Sequence, residues 1–184
     1  MGGRALTTVT VYCGSLRTVP EPYLELAAEV GAEIARRGWS LAWGGGRRSM
    51  MGAVSQAARA GGARTIGVIP RSLVDREWAD HDADELLVVD TMRDRKALME
   101  AHGDAFLAMP GGIGTCEELF EVWTARVLAL HDKPVVVLDV DDHYRGLVAW
   151  LGELVERGFV SRTALDSLVV TDDVRTALDA CQAP

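Results

Sequence analysis

The feature that most constrains the fold of this chain is a repeated alternation between short apolar runs and longer amphipathic stretches. Each run ends in glycine or polar residues and is followed by a stretch with the period of about 3.6 residues that an amphipathic helix shows. The runs are apolar along nearly their whole length, which is typical of strands buried on both faces. The pattern therefore predicts an α/β protein with a single doubly wound, Rossmann-like parallel sheet and helices on both faces.

No linker, internal repeat or low-complexity tract interrupts this alternation. The predicted strands are residues 8–12, 41–43, 65–69, 86–89, 105–109, 135–140 and 168–170. The predicted helices are residues 22–37, 50–60, 93–102 and 144–157, one after the loop at 110–115 and a short one at the C-terminus, while 70–85 is predicted to be an irregular connection. Because a domain typically has about 100–200 residues, the 184 residues are expected to form a single domain, 1–184.

Charge and cysteine content narrow the possible functions. The chain has 27 acidic and 19 basic residues, and the net charge of -8 disfavours nucleic-acid binding, which needs basic residues to neutralise phosphates. Its 3 cysteines are odd in number and lack metal-ligand spacing, as is typical of the reducing cytoplasm. No apolar run approaches the about 18–20 residues of a membrane span, and no signal peptide is recognisable. We therefore expect a cytoplasmic protein that binds neither nucleic acid nor membranes.

The strongest functional signal is the sequence PGGIGTCEE at residues 110–118. It follows a predicted strand and precedes a predicted helix, the context in which a glycine-rich loop binds phosphate through its backbone N–H groups. Thr115 is predicted to be the N-cap of the helix and a hydroxyl donor. A structural interpretation is also open, since Thr115 and Glu118 have the spacing of a capping box. Three glycines within four residues are more than a simple turn requires, and this favours ligand binding.

Two further loops are predicted to reach the same edge of the sheet. GGGRRSMMG at residues 44–52, which includes Gly45, is a second glycine-rich connection between a strand and a helix, and Ser15 follows the first predicted strand. If the strand order reverses nearby, these loops open toward one crevice at the carboxyl edge of the sheet. Ser15 is predicted either to donate a hydrogen bond to a phosphate or to cap a helix. The run of glycines alone serves close helix packing equally well.

Arg95 and Lys96 are the candidate source of the local positive charge that an anionic ligand needs. Arg95 follows Met92 by three residues and precedes Met99 by four, so it shares a partly apolar row with them on the predicted helix. A buried guanidinium requires a polar or anionic partner. This partner is either a ligand or a neighbouring carboxylate such as Asp90.

The remaining reactive side chains are interpreted as structural. Cys116 lies near the N-terminus of a predicted helix, where a thiolate is stabilised, but no histidine has a telling spacing from it. The 4 histidines lack the H-x-H and H-E-x-x-H spacings, so no metal site is predicted. The acidic run at residues 80–85 is expected to be a solvated surface.

The pair Arg95-Lys96 followed by PGGIGTCEE resembles the Lonely Guy family, the cytokinin riboside 5'-monophosphate phosphoribohydrolases once labelled as lysine decarboxylases. The family pattern is RK followed at a fixed distance by PGGxGTxxE, and the likeness extends over residues 9–170, including GGGRRSMMG and HDKPVVVLD. Ser49 departs from the pattern, because the family more often has glycine there. The decarboxylase label fits poorly, since a pyridoxal enzyme needs a Schiff-base lysine and only Lys96 and Lys133 are present.

The resemblance implies hydrolysis of the N-glycosidic bond of a nucleoside 5'-monophosphate without a metal or other cofactor. It also implies a homodimer with the site near the subunit interface. At the matching positions, Arg95 and Glu118 are implied to be catalytic and to act on the ribose and its bond to the base, which passes through an oxocarbenium-like state. Lys96 and residues 112–115 are implied to hold the phosphate, Glu77 to approach the base, and Thr124 to assist at the loop. The predicted substrate-binding residues are Glu77, Lys96, Gly112, Ile113, Gly114, Thr115, Cys116, Glu117, Thr124, Ser15 and Gly45.

Two other functions stay open at this point. Related folds with glycine-rich loops carry the molybdenum cofactor, so the main alternative is a carrier that binds a nucleotide or this cofactor without catalysis. A carrier has no need of both Arg95 and Glu118. A DNA-processing protein with a Rossmann-type core is the second alternative, and the net charge of -8 speaks against it.

Overall fold

The structure is a computed structural model that describes residues 7–76 and 78–182. The strands are β1 (Thr8–Tyr12), β2 (Ser40–Trp43), β3 (Thr65–Pro70), β4 (Glu85–Val89), β5 (Ala105–Ala108), β6 (Val135–Leu138) and β7 (Leu168–Thr171). The helices are α1 (Glu21–Arg36), α2 (Ser49–Ala60), α3 (Met92–His102), α4 (Ile113–Val127), α5 (Arg145–Glu156), α6 (Arg162–Asp166) and α7 (Val174–Ala180). Short 3-10 helices lie at Arg71–Leu73 and Val140–Asp142.

The strands form one parallel sheet in the order β4-β3-β2-β1-β5-β6-β7. The chain builds the sheet outward from β1 to β4 and then returns to place β5 on the other side of β1. The strand order therefore reverses between β1 and β5. Connections leave the two strands in opposite directions at such a point, which opens a crevice at their carboxyl ends. The predicted fold class is confirmed.

The two faces of the sheet bury separate apolar clusters. Val9 and Val11 of β1 pack into the cluster that includes residues of α1, α2 and α7. Tyr12 belongs to the cluster on the opposite face, which includes residues of α3, α4 and α5. Thr10 also points to this second face, where its hydroxyl donates a hydrogen bond to the Met99 carbonyl at 2.8 Å. Helices thus cover both faces, as the continuous apolar strands predict.

The sequence pattern places all seven strands with small differences at their ends. β6, predicted over 135–140, ends at Leu138, and the chain turns there into the 3-10 helix Val140–Asp142. The five-residue helix α6 was not predicted, because so short a helix shows no apolar period. Its only sequence signal is Ser161, whose side chain accepts a hydrogen bond from the Ala164 N–H. None of the helices in the described ranges is long and apolar enough to cross a membrane.

The connection between β3 and β4 is held against the loop that follows β2. Asp80 is 1% exposed, and its carboxylate accepts hydrogen bonds from Ser55 at 2.9 Å and Arg59 at 3.3 Å. The Asp80 N–H donates to the Gly45 carbonyl at 2.8 Å. The expectation of a solvated acidic surface at 80–85 is therefore wrong for Asp80, because a serine and an arginine of α2 stabilise its buried carboxylate. The connection forms one wall above the carboxyl ends of β2 and β3.

Candidate functional site

A cleft of about 610 Å³ opens at the carboxyl ends of β1 and β5, where the strand order reverses. Residues 13–16 after β1 and 110–115 after β5 line it, together with residues of α2, α3 and α4. Two backbone hydrogen bonds hold the two loops side by side. The Gly14 N–H donates to the Pro110 carbonyl at 3.1 Å, and the Met109 N–H donates to the Tyr12 carbonyl at 2.9 Å.

The N-cap of helix α4 lies three residues earlier in the chain than the sequence predicts. Its N-cap is Gly112, no side chain caps it, and its first residue is Ile113. The predicted N-cap role of Thr115 is wrong, and so is the capping box, because Thr115 already lies inside the first turn. The first N–H groups of α4 therefore end at the cleft without a capping side chain, and this end of the helix attracts an anion. Glu118 is not needed to begin the helix.

The glycines of this loop are present for different physical reasons. A Cβ on Gly111 would lie 2.1 Å from Thr115 Oγ1, so Gly111 makes room for the buried threonine. A Cβ on Gly112 or Gly114 would meet no atom within 4 Å, and neither residue has a positive φ. Packing and backbone conformation therefore do not explain the last two glycines. Both face open space beside the N-terminus of α4, where a bound anion would approach the backbone.

Arg95 is buried at the edge of the sheet, with 5% of its surface exposed, and lines the cleft. Its Nη2 donates to the Gly44 carbonyl at 2.7 Å and its Nε to the Val68 carbonyl at 3.1 Å. A Cβ on Gly44 would lie 2.1 Å from Nη2, so only glycine leaves room for the guanidinium. The predicted apolar row is confirmed, since the Sδ atom of Met92 lies 3.9 Å from Nη1 of Arg95. Both carbonyl oxygens accept hydrogen bonds from the guanidinium and fix its orientation.

Glu118 lines the same cleft from α4 and is partly buried. Its carboxylate lies near the buried phenol of Tyr12. Burial, followed by the negative charge of Glu118, raises the pKa of Tyr12 well above its usual value. The structure thus brings Arg95 and Glu118, which are 23 positions apart in the chain, to one cavity. A guanidinium and a carboxylate that line one cavity can act on a single small ligand.

Lys96 joins α3 to α4 and is not among the residues that line the cleft. Its ammonium donates a hydrogen bond to Glu117 and forms an ion pair with Glu121 at 2.9 Å. The hydrogen bond with Glu117, and then that with Glu121, raises the pKa of Lys96. These contacts hold the helix of Arg95 against the helix of Glu118. Phosphate binding by Lys96 stays a prediction.

The other predicted binding residues divide into those that line the cleft and those that do not. Ser15 is exposed at the cleft, and its alternative role as a helix cap is wrong, because α1 begins at Glu21 after Pro20. Gly45 is buried behind Gly44 with a φ of 74° and supports the loop from outside the cleft. The cleft is also lined by Gly112, Ile113, Gly114, Thr115 and Glu117.

Cys116 and Thr124 do not line the cleft. Cys116 is partly buried, and burial raises the pKa of its thiol, as expected for a structural cysteine. Thr124 is exposed near the C-terminal end of α4, three turns from the glycine loop. Glu77 lies outside the described residues. Across the residues that the structure does describe, no group of three or more His, Cys, Asp or Glu could hold a metal ion.

Sequence reasoning missed His143 and the apolar walls of the cleft. His143 follows β6, and its Nε2 lies 2.9 Å from the Gly111 carbonyl oxygen and 3.2 Å from the Gly111 nitrogen. Its only sequence signal is its position just after a strand that neighbours β5. The apolar walls include methionines from two helices, which single-sequence patterns assign to the core. The apolar lining residues include Leu16, Val19, Met50, Met51, Leu73, Met92 and Met99.

Comparison with known proteins identifies the family. A family model described as "Possible lysine decarboxylase" matches residues 51–181. A Mycobacterium marinum protein named cytokinin riboside 5'-monophosphate phosphoribohydrolase is 58% identical over 174 residues, which cover 95% of this chain and 92% of that protein. A Mycobacterium tuberculosis protein of the same name is 59% identical with the same coverage. The chain belongs to the Lonely Guy family. The resemblance carried by Arg95-Lys96 and PGGIGTCEE is thereby confirmed.

The fold extends beyond the Lonely Guy family. The molybdenum cofactor binding protein from Rippkaea orientalis superimposes with a TM-score of 0.73 over 96% of each chain. Its sequence is only 21% identical, so this likeness concerns the fold alone. The same fold therefore occurs in proteins with different names. Differences in function between such proteins must therefore come from the residues that line their binding sites.

Proposed function

We propose that this protein hydrolyses the N-glycosidic bond of N6-substituted adenosine 5'-monophosphates and releases the free base, a cytokinin, and ribose 5-phosphate. The observation that carries this proposal is one cleft lined by Arg95, by Glu118 and by two glycines, Gly112 and Gly114, that neither packing nor φ explains. Relatives at 58% and 59% identity carry the name of this activity, which supports the same assignment.

The phosphate binds at the N-terminus of α4. Backbone N–H groups at Gly112 and Gly114 approach its oxygens, and the buried hydroxyl of Thr115 lies within the same turn. Ser15 reaches the phosphate from the neighbouring loop. The net charge of -8 makes this local arrangement necessary, because the protein as a whole repels an anion. Phosphate binding away from the bond that breaks holds the ribose in a reactive position.

The ribose lies between Arg95 and Glu118. As the bond from C1' to the base lengthens, positive charge develops on the sugar ring, and the carboxylate of Glu118 stabilises it and orients the attacking water. Water supplies a hydroxyl group to C1' and a proton to the base nitrogen that leaves. Arg95, fixed by the Gly44 and Val68 carbonyls, holds the sugar in place. Loss of either charged group is expected to cost about 10²–10³ in rate.

The base lies against the apolar part of the cleft. Met50, Met51 and Met92 line this part together with Leu73. Flexible, polarisable methionine side chains adapt to an aromatic base and to an apolar N6 substituent. This lining supports a preference for N6-prenylated adenylates over AMP, which lacks the apolar group.

The active form is a homodimer in the cytoplasm. The end of α4 and the residues after it expose large apolar side chains, with Leu128 63% and Leu130 75% exposed and Val127 47% exposed. Exposed apolar patches of this kind favour association. Because Glu118 lies on the same helix, such an interface would approach the cleft. Sedimentation equilibrium tests this part, and a monomer at micromolar concentration would contradict it.

The direct test incubates the purified protein with isopentenyladenosine monophosphate and, in parallel, with AMP. The expected products are free base and ribose 5-phosphate, separated by liquid chromatography, with the prenylated substrate reacting faster. The same nucleosides without phosphate are the control and should react poorly. If folded protein releases neither product from any nucleotide while still binding nucleotides, the carrier alternative replaces the enzyme.

A further inference from the structure

His143 lies beside the glycine loop although no part of the function above uses it. It follows the 3-10 helix Val140–Asp142 and lines the cleft. Its Nε2 is within hydrogen-bond distance of both polar groups of one residue, the Gly111 nitrogen at 3.2 Å and the Gly111 oxygen at 2.9 Å. Gly111 directly precedes the N-cap of α4, at the end of the helix where the phosphate binds.

One imidazole nitrogen serves only one of these two groups at a time. When Nε2 carries no proton, it accepts a hydrogen bond from the Gly111 N–H and so competes with a bound anion for that donor. When Nε2 carries a proton, it donates to the Gly111 carbonyl, and the Gly111 N–H is released. Whether Nε2 of His143 carries a proton therefore determines whether the Gly111 N–H is available to the phosphate.

The ring is held in place by its neighbours while it stays open to solvent. Tyr144 packs edge-on against it with ring centroids 4.7 Å apart, and Tyr23 of α1 does so at 6.2 Å. Tyr144 is itself fixed, because its hydroxyl donates to the Met109 carbonyl at 2.7 Å and its N–H donates to Asp139 at 2.6 Å. These contacts position Nε2 at Gly111 without involving the ring nitrogens. A substitution that keeps an aromatic ring therefore preserves the packing and removes only the hydrogen bond.

We propose that His143 is a positioning residue for the phosphate loop, which donates from Nε2 to the Gly111 carbonyl when the 5'-phosphate is bound and so releases the Gly111 N–H to the phosphate. This inference rests on the proposed function, because it takes the phosphate end of a nucleotide as the ligand. It predicts that His143 acts on affinity for the phosphate group and not on the ribose chemistry at Arg95 and Glu118.

The test measures binding to the full chain by isothermal titration calorimetry, with ribose 5-phosphate, AMP and adenosine as probes. The variant His143→Phe keeps the ring between the two tyrosines, and it is expected to bind both phosphate-bearing probes about tenfold more weakly. The variant His143→Gln keeps an N–H donor and should bind them as the native protein does. Adenosine binding should be unchanged in both variants, because adenosine carries no phosphate.

Each other outcome overturns a distinct claim. If the native protein binds neither ribose 5-phosphate nor AMP, the proposed function fails and this inference fails with it. If the native protein binds them and His143→Phe binds them equally well, only this inference is overturned. Weaker binding of adenosine as well would indicate a merely structural role, and failure of His143→Gln to restore affinity would exclude the donor role.

A measurement on the native protein keeps the inference testable if a variant does not fold. The nitrogen chemical shifts of the imidazole report which ring nitrogen carries the proton. Addition of ribose 5-phosphate at constant pH is expected to shift His143 toward the form protonated at Nε2. Unchanged nitrogen shifts at saturating ribose 5-phosphate would overturn the proposal.

Discussion

The two glycine-rich loops of this protein have similar sequences and different physical roles. In the loop after β2, Gly44 makes room for the Arg95 guanidinium, and Gly45 has a φ of 74° with a Cβ position only 3.1 Å from Ile69. In the loop after β5, Gly112 and Gly114 face open space. The first loop uses glycine to build the protein around Arg95. The second uses glycine to leave space at the N-terminus of α4.

This difference gives a physical criterion for interpreting a glycine-rich loop. A glycine that packing or a positive φ requires contributes to stability, so its replacement is expected to destabilise the fold. A glycine without such a requirement indicates space for a ligand only where it also lines a cavity, as Gly112 and Gly114 do and Gly152 does not. The two loops should therefore respond to substitution in opposite ways, and the following substitutions separate stability from activity.

The largest effect is expected for Glu118→Gln, a substitution in α4, the helix that follows the second loop. Turnover should fall by about 10²–10³-fold because the carboxylate no longer stabilises positive charge on the ribose. Nucleotide binding and the melting temperature should be close to native, since Glu118 does not cap α4. Steady-state kinetics and calorimetry check both. Intact turnover with a stability loss of about 1 kcal/mol would instead support the capping box.

Gly44→Ala is expected to damage both activity and stability. The added Cβ would lie 2.1 Å from Nη2 and 3.0 Å from Cζ of Arg95, so the guanidinium must move. A displacement of about 1 Å in a catalytic group can cost about 10²-fold in rate, and overpacking costs about 1–3 kcal/mol. Gly152→Ala in α5, where a Cβ meets no atom within 4 Å, is the control. Native kinetics in the Gly44 variant would contradict the assigned position of Arg95.

Gly114→Ala should affect affinity without a loss of stability. Its Cβ would point into open space within the first turn of α4, where alanine favours the helix by up to about 1 kcal/mol over glycine. Binding of ribose 5-phosphate should weaken by about tenfold, because the methyl group occupies the space of the anion. The control Gly152→Ala should share the gain in stability and keep native affinity. Unchanged phosphate affinity in the Gly114 variant would exclude this loop as the phosphate site.

Glu33→Gln tests whether reduced stability alone lowers activity. Hydrogen bonds from Arg36 and Arg37 outweigh burial and lower the pKa of Glu33 from 4.5 to about 2. Because the folded-state pKa is depressed, this carboxylate stabilises the protein above about pH 4.5, and the stabilisation is lost as the pH falls toward 2.

The Glu33 variant should therefore be less stable by about 1 kcal/mol at pH 7. The difference from the native protein should shrink between pH 4.5 and 2, as urea titrations at several pH values would show. Its turnover should be native, since Glu33 lies on α1 away from both loops. A proportional loss of turnover would mean that the effect of Gly44→Ala on activity reports stability alone.

The fold was largely predictable because it depends on features that a single sequence contains. Continuous apolar runs place the strands, and the Met92, Arg95 and Met99 spacing predicts the buried guanidinium that the structure shows. The start of α4 could not be predicted from Thr115, because threonine and glycine are about equally favourable at the N-cap position. The sequence therefore predicts the loop correctly and its cap incorrectly.

Contacts between distant segments account for the rest of the site. His143 meets Gly111 only because β6 pairs with β5, and no spacing in the chain reports that pairing. The resemblance implies that Lys96 holds the phosphate, and this stays a prediction. Its contacts with Glu117 and Glu121 could not be predicted, because successive residues of a helix point in different directions. Such relations depend on how helices pack, which sequence patterns alone do not determine.

The bridge from Lys96 to Glu117 and Glu121 bears on how specificity can change in proteins of this kind. It ties together the two helices that hold Arg95 and Glu118, while Met50, Met51 and Leu73 belong to other segments. In the proposed function, three of the groups that select the base thus lie on other segments than the groups that break the bond, whereas Met92 lies on α3 in contact with Arg95. New substrate ranges can therefore be engineered, or can evolve, by exchanging Met50, Met51 and Leu73 while the bond-breaking pair keeps its geometry.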